Sequence, residues 1–216
     1  LSYQFPERFD GKAASYNLDY NRKGKSGVKA AIIREQGVNS DREMAYALWL
    51  AGFDVKDVHL TDLITGREDL SDVQMIVFVG GFSNSDVLGS AKGWAGSFLF
   101  NEKAKAALDA FYAREDTLSL GVCNGCQLMM ELGLIYPKMG DQHPKMHHNV
   151  SGKFECCFVS VTIEETNSVL LKSMIGSRLG IWLAHGEGRF ELSNQDDIQV
   201  PVKYGYGFPT NANGSS

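Results

Sequence analysis

Hydrophobic and polar positions define two kinds of segment along most of the chain. Short, mostly apolar runs, such as VKAAII from Val28, MIVFV at 75–79 and TLSLGV at 117–122, predict strands. Segments 39–50 and 102–112 carry apolar residues at helical spacing and predict amphipathic helices. Strands that alternate with helices indicate crossover connections. The pattern therefore predicts an α/β fold with a mostly parallel open sheet and helices on both faces.

The two ends of the chain differ from this alternating part. Residues 1–27 show no sustained period and are rich in Gly, Asn, Ser and charge, which is typical of a linker or arm from an upstream domain. From Gly152 the sequence turns strand-like, with FECCFVSVTI, GIWLAH and GRFEL. We therefore expect a linker at 1–27 and one domain at 28–216, with a strand-rich second half.

Some element boundaries are specific enough to compare with a structure. Residues 54–60 predict a strand, and a helix is expected from about 126 to 132. Asn39 or Ser40 is expected to cap the helix that ends at Gly52, because Asn and Ser accept hydrogen bonds from the first free N–H groups of a helix.

Composition narrows the class of protein. A length of 216 residues suits one domain with a sizeable core, and 44% hydrophobic with 22% charged residues is ordinary for a globular protein. No apolar run is long enough to predict a membrane span. The net charge of −5, without a long basic block, disfavours nucleic acid as a partner and favours a small-molecule substrate.

Cysteine usage indicates the compartment. There are four cysteines, and two of them, Cys156 and Cys157, are adjacent, which does not form a spaced disulfide framework. No leader-type apolar segment opens the chain. We therefore expect a reducing, cytoplasmic location.

The segment GVCNGCQ at 121–127 carries the most specific chemistry. Cys123 stands between an apolar strand and a helix with glycines two residues to either side, the arrangement of a nucleophile elbow. The helix N-terminus favours a thiolate. The N–H of Asn124 is placed to stabilise an oxyanion, and a second donor is expected from the backbone of Gly81 or Phe82. This pattern predicts acyl transfer through a thioester.

Other interpretations of the cysteines stay open at this point. Cys123 can be a small buried residue at a strand end, with the glycines serving only the turn. Cys123 and Cys126 form a C-x-x-C pair that, with Cys156 and Cys157, suggests a zinc site or redox centre. Neighbouring side chains on a strand point to opposite faces, which argues against the zinc site. The alternative function is a non-catalytic redox or interaction module.

The histidines are less informative. His185 lies at the end of an apolar strand between small residues, and it either faces the same cleft as Cys123 or is a satisfied polar residue. His59 also ends a strand. His143, His147 and His148 cluster in a polar segment, where solvated surface is the simplest interpretation.

Several motifs together resemble one family. GVCNGCQ resembles the nucleophile motif of class I glutamine amidotransferases, whose domains have a flavodoxin-like α/β fold. With REQGVNSDREMA at 34–45, GGFSNSDVLGSAKGWA at 80–95 and AHGEGRFEL at 184–192, residues 28 to about 212 resemble the C-terminal glutaminase domain of large-type phosphoribosylformylglycinamidine synthases.

The resemblance implies a reaction and its partners. Cys123 would attack the side-chain amide of glutamine and release ammonia. The ammonia would pass to a synthetase domain of the same full-length polypeptide, which uses ATP and magnesium to convert formylglycinamide ribonucleotide to the amidine. The glutaminase domain itself would hold neither cofactor nor metal. By matching position, the oxyanion donors would be Gly81 or Phe82 and Asn124, and the glutamine would be held by Ser83, Gln127, His185 and Gly186.

Two departures from the family pattern stand out. Ser85 occupies a position where the family's loop commonly has glycine. The family's catalytic His and Glu lie in a His-Pro-Glu motif beyond an Asn-Gly-Ser segment that resembles residues 213–215, and the sequence ends at Ser216. His143-Pro144-Lys145 lies in the wrong part of the chain and lacks the carboxylate, so it does not take that role. The resemblance thus implies that the isolated chain lacks the catalytic His and Glu and is inactive alone.

Overall fold

A computed structural model of the protein describes residues 4, 5, 7, 18–192, 198–206 and 213–215. Much of the predicted linker and residue Ser216 lie outside the described residues. The chain divides into two compact units. The first comprises residues 16–138, and the second combines residues 1–15 with 139–216.

The first unit is built on a four-stranded parallel sheet with the strand order β2-β1-β3-β4. The strands are β1 (Lys29–Arg34), β2 (Asp54–His59), β3 (Met75–Phe78) and β4 (Leu118–Gly121). The central strands β1 and β3 consist mainly of buried apolar residues, which is typical of a sheet covered on both faces. The predicted parallel sheet is confirmed.

Helices cover both faces of this sheet. Successive residues of a strand point to opposite faces, so neighbouring residues of β1 pack against different helices. They are α1 (Asp41–Leu50), α2 (Leu60–Thr65), α3 (Lys92–Leu99), α4 (Glu102–Tyr112) and α5 (Asn124–Glu131). Ala30 and Ile32 of β1 belong to a core cluster with Leu48 of α1. Ala31 and Ile33 belong to another cluster, to which α2, α3, α4 and α5 contribute. The predicted α/β layering is therefore confirmed.

Most predicted boundaries in this unit agree with the structure to within one or two residues. The helix expected from about 126 begins two residues earlier, at Asn124. The expected cap of α1 is wrong in its chemistry. Ser40 holds the N-cap position, but its backbone is left-handed (φ +66°) and its side chain makes no capping hydrogen bond. Its hydroxyl instead lies 3.2 Å from Oδ1 of Asn39.

The second unit is strand-rich, as predicted. A three-stranded antiparallel sheet has the order β7-β6-β9, and a separate pair joins β5 and β8. The strands are β5 (Lys145–His147), β6 (Glu155–Ile163), β7 (Arg178–His185), β8 (Arg189–Glu191) and β9 (Val202–Tyr204). Within the described ranges, every helix falls short of the length and apolar character that a bilayer crossing requires.

Candidate active site

Three loops meet at the carboxyl edge of the parallel sheet, where ligands bind in open α/β sheets. The loops follow β1, β3 and β4. The N–H of Asn39 donates to the carbonyl oxygen of Gly80 (2.8 Å), and the N–H of Phe82 donates to the carbonyl oxygen of Gly37 (3.0 Å). These two bonds flank an isolated antiparallel bridge between Val38 and Gly81. The loop after β3 is therefore tied to the loop after β1 by backbone bonds.

Cys123 lies at a sharp turn between β4 and α5. Its backbone angles are φ +54° and ψ −115°, a conformation that costs a non-glycine residue about 1–3 kcal/mol. Neighbouring hydrogen bonds enforce it. The N–H of Val122 donates to the carbonyl oxygen of Phe78 (3.0 Å), and the carbonyl oxygen of Cys123 accepts from the N–H groups of Cys126 (3.0 Å) and Gln127 (3.1 Å). The Cys123 residue is exposed, so the turn predicted from the sequence presents the thiol to solvent.

The glycines around the turn allow close packing of backbone. A Cβ atom added to Gly125 would lie 2.5 Å from the carbonyl carbon of Phe78, and closer still to its oxygen. A Cβ atom added to Gly80 would lie 3.0 Å from Cβ of Cys123 and 3.6 Å from its Sγ. Absence of a side chain at Gly80 thus leaves room beside the thiol, and absence of one at Gly125 lets α5 pack against β3.

Two backbone N–H groups near the turn are available as donors. Asn124 is the first residue of α5, so its N–H has no acceptor inside the helix. In the described part of the chain, neither that N–H nor the N–H of Gly81 has an acceptor. The N–H of Phe82, the other donor expected from the sequence, is engaged with Gly37. The backbone therefore favours the N–H of Gly81 over that of Phe82 as the second oxyanion donor beside the N–H of Asn124.

The side chain of Asn124 connects the turn to the loop after β3. Its Oδ1 accepts from the N–H of Ser83 (3.1 Å), and its Nδ2 donates to Oε1 of Gln127 (2.9 Å). Asn124 and Ser83 are each only 1% exposed. The Oγ of Ser83 has no hydrogen-bond partner among the described residues. The structure thus brings Ser83, Asn124 and Gln127 together beside Cys123.

Ser85, which departs from the family pattern, lies in the 3-10 turn Ser83–Asp86. Its φ is +56°, in the left-handed region that favours glycine, and Asn84 and Asp86 also have positive φ. The turn is therefore formed with serine at a position whose backbone suits glycine, at a cost of about 1–2 kcal/mol.

Cys126 differs chemically from Cys123 although both belong to the C-x-x-C segment. Burial, and to a lesser extent the neighbouring Cys123, raises the pKa of the Cys126 thiol to about 11. The thiol is therefore protonated at neutral pH and is a poor nucleophile. All four cysteines are free thiols. Among the described residues, no group of three or more His, Cys, Asp or Glu side chains is arranged to hold a metal ion.

His185 and Gly186 lie in the second unit, at the end of β7. Two buried asparagines flank the His185 ring. Nδ2 of Asn149 donates to the carbonyl oxygens of Lys153 (3.0 Å) and His185 (2.7 Å), so its Oδ1 faces Nδ1 of His185 (3.0 Å). Oδ1 of Asn213 accepts from the N–H of Ser215 (2.9 Å), so its Nδ2 faces Nε2 of His185 (3.3 Å).

These partners fix the protonation of the His185 ring. Nδ1 faces an acceptor and must carry the proton, whereas Nε2 faces a donor and must accept. The ring is therefore neutral, and burial lowers its pKa. Contact between His185 and glutamine stays a prediction. Sequence reasoning missed the contacts of His185 with Asn149 and Asn213, which lie 36 and 28 residues away. In the sequence, Asn213 stands out only for the likeness of residues 213–215 to a family segment.

The remaining histidines have polar partners, three of them in the second unit and one, His59, at the end of β2. Nε2 of His147 lies 3.3 Å from Glu191, and Nε2 of His148 lies 3.0 Å from Glu187. Nε2 of His143 lies 2.9 Å from Nζ of Lys145. His59 caps α2, since its Nδ1 accepts from the N–H of Thr61.

Comparison with known proteins gives a consistent result. A family model described as the CobB/CobQ-like glutamine amidotransferase domain matches residues 27–215. The chain is 47% identical over 206 residues to a probable phosphoribosylformylglycinamidine synthase, chloroplastic/mitochondrial, of Arabidopsis thaliana, a match that covers 87% of this chain and 15% of that protein. It is 45% identical over 213 residues to phosphoribosylformylglycinamidine synthase of Dictyostelium discoideum, covering 90% of this chain and 16% of that protein. The chain thus spans about 15% of the length of these relatives.

Solved structures also resemble the chain. PurLQS from Thermotoga maritima matches with a TM-score of 0.64 and 28% identity, over 88% of this chain and 78% of that one. A Thermoplasma acidophilum protein described as part of a GMP synthase matches with a TM-score of 0.53 and 14% identity, over 82% of this chain and 74% of that one. At that identity, the second match supports the fold alone.

Proposed function

Because the chain belongs to the family of CobB/CobQ-like glutamine amidotransferase domains, we propose that it is the glutaminase part of a phosphoribosylformylglycinamidine synthase. The observation that carries the proposal is the exposed Cys123 at a strained turn, beside the unengaged N–H groups of Gly81 and Asn124. A thiol next to two backbone donors suits nucleophilic attack on an amide. Family membership does not favour the alternative of a non-catalytic redox or interaction module.

The proposed reaction proceeds through a thioester. Sγ of Cys123 attacks the side-chain amide carbon of glutamine, and the amide oxygen becomes an oxyanion that accepts hydrogen bonds from the N–H groups of Gly81 and Asn124. The C–N bond then breaks, and the leaving nitrogen takes up the thiol proton and departs as ammonia. Water attacks the glutamyl thioester, which restores the thiol and releases glutamate. Ser83 and Gln127 are proposed to hold the glutamine, and for His185 and Gly186 this role stays an expectation from the family resemblance.

The ammonia is proposed to serve a synthetase part of the same polypeptide. There, ATP and magnesium would drive conversion of formylglycinamide ribonucleotide to the amidine in purine biosynthesis.

We propose a cytoplasmic location because the four cysteines are unpaired. The Arabidopsis relative is named chloroplastic/mitochondrial. Cell fractionation with an antibody to the protein tests the location, and recovery in an organelle fraction alone would contradict it.

The proposed function is tested by the nitrogen source of the full-length protein. Cys123→Ser should abolish amidine formation with glutamine, because the weaker hydroxyl nucleophile replaces the thiol, and should leave formation with ammonium salts intact. Cys156→Ser is the matched control, since Cys156 is an exposed thiol of the second unit. It should leave both activities unchanged. Glutamine-driven synthesis that survives Cys123→Ser would overturn the proposal.

A further inference from the structure

We propose that the side chain of Asn124 is a positioning residue, which holds the two oxyanion donors in register with each other. The inference rests on the proposed glutaminase function and adds a role for the Asn124 side chain beyond its backbone N–H. One donor, the N–H of Asn124, begins α5. The other, the N–H of Gly81, lies on the loop after β3, forty-three positions earlier in the chain.

Hydrogen bonding fixes the orientation of the Asn124 carboxamide. The N–H of Ser83 can only donate, so the atom 3.1 Å from it is the carbonyl oxygen Oδ1. Nδ2 must then be the atom that faces Oε1 of Gln127, at 2.9 Å. Asn124 and Ser83 are each 1% exposed, so the bond between them is shielded from water and is stronger than an exposed one, whereas the bond to Gln127 is partly buried. The carboxamide therefore bridges Ser83 and Gln127 in one orientation.

The bridge adds a directed hydrogen bond to the packing of Gly80 against Cys123. The loop after β3 is tied on one side to the loop after β1, through the bonds of Gly80 with Asn39 and of Phe82 with Gly37. On the side of α5, the Ser83–Asn124 bond connects this loop to the turn at Cys123. Both donors must lie about 2.7–3.1 Å from one oxyanion to act together. Without the carboxamide, the hydrogen bond between the loop after β3 and α5 is lost, and it no longer holds the two donors at a fixed separation.

A bridge of this kind acts mainly on the transition state. The oxyanion exists only after attack, so loss of donor alignment should lower kcat far more than it raises KM for glutamine. Removal of one oxyanion donor costs about 100- to 1,000-fold in kcat. Misplacement of a donor that is still present should cost less, about 10- to 100-fold. A role confined to stability would leave the kcat of the folded protein unchanged.

Two variants of the full-length protein distinguish these roles. Asn124→Ala removes both hydrogen bonds. Asn124→Leu keeps about the same side-chain shape and volume, but it also makes neither hydrogen bond. Loss of kcat in both variants would therefore trace to the lost bonds and not to a cavity.

The matched control is Asn101→Ala. Asn101 caps α4 in the same unit by accepting from the N–H of Ala104 at 3.0 Å. Loss of such a cap costs about 1 kcal/mol of stability. The control should melt at a lower temperature and keep wild-type kcat.

The outcomes separate cleanly in steady-state glutaminase assays. A kcat loss of about 10- to 100-fold in Asn124→Ala, with KM within about threefold of wild type, supports the inference. Wild-type kcat in Asn124→Ala, or a change in KM alone, overturns it. If the Ala variant does not fold, wild-type kcat in Asn124→Leu overturns it equally. A wild-type protein without glutaminase activity would overturn the proposed function, and this inference with it.

Discussion

Replacement of Gly125 by alanine should loosen the contact between α5 and β3. The new Cβ atom would lie 2.5 Å from the carbonyl carbon of Phe78 and 2.8 Å from its Cβ. Normal carbon contacts are about 3.5–4.0 Å, so the helix must move away by about 1 Å. The obstacle is largely backbone, which cannot rotate aside as a side chain would. The carbonyl oxygen of Phe78 also accepts from the N–H of Val122, so the same movement strains that bond.

The size of the effect follows from these two contributions. Overpacking costs about 1–3 kcal/mol, and loss of one buried backbone hydrogen bond costs about 0.5–1.5 kcal/mol. Alanine in place of glycine in a helix returns about 0.5–1 kcal/mol. The net loss is about 2 kcal/mol, which lowers Tm by roughly 4–8 °C in a protein of this size. Because Cys123 precedes α5, displacement of about 1 Å should also lower the glutaminase kcat of the full-length protein by about 100-fold.

Gly96→Ala provides the matched control, because it makes the same chemical change in α3. A Cβ atom at Gly96 would lie 3.7 Å from the Phe100 ring, an ordinary contact. It should therefore raise stability by about 0.5–1 kcal/mol through helix propensity. Thermal unfolding followed by far-UV circular dichroism measures both variants. A Gly125→Ala protein that melts at or above wild type would refute the packing argument.

Three further predictions use features of the same two units. Ser83→Ala should stabilise the unbound protein by about 1 kcal/mol, because it removes a buried hydroxyl without a partner among the described residues. The same variant of the full-length protein should raise KM for glutamine, and an unchanged KM would refute a contact between Ser83 and the substrate. Ser85→Gly should raise stability by about 1 kcal/mol in urea unfolding, since the left-handed backbone suits glycine, and a loss of stability would contradict this reasoning. Burial lowers the pKa of His185, so the stability that it supports is present above its unfolded pKa of about 6.5 and is lost as pH falls toward the folded pKa. Tm measured between about pH 7 and pH 5 should therefore fall more steeply in wild type than in His185→Gln, and equal slopes would argue against the neutral ring.

Much of the fold could be predicted because the central strands β1 and β3 are largely apolar. The strand Met75–Phe78 could be predicted because it is apolar throughout, as a strand buried on both faces must be. The helix Glu102–Tyr112 could be predicted because its apolar residues recur at helical spacing and form one buried face. The helix Lys92–Leu99 was not predicted, because it contains two glycines, which lower helix propensity, and its burial is decided by the sheet beneath it. Tertiary packing overrides local preference there.

The candidate site likewise has features that the sequence predicts and features that it does not. The turn at Cys123 could be predicted because its glycines and its place after a strand are local features. The bond from Ser83 to Asn124 joins residues 41 positions apart, and no periodicity signals it. The preference for Gly81 over Phe82 likewise depends on a contact with Gly37 in a different loop. Hydrogen bonds between residues that are far apart in the chain could not be predicted from the sequence pattern alone.

Covalent labelling tests most directly whether Cys123 is the nucleophile that attacks glutamine. The protein is treated at neutral pH with an electrophilic glutamine analogue, and labelled peptides are identified by mass spectrometry. Cys126, with a pKa raised to about 11 by burial, should be spared, and the exposed Cys156 reports unselective reaction. We predict one label per chain, on Cys123, which excess glutamine suppresses. Labelling spread over all four cysteines, or unaffected by glutamine, would contradict a nucleophilic role of Cys123.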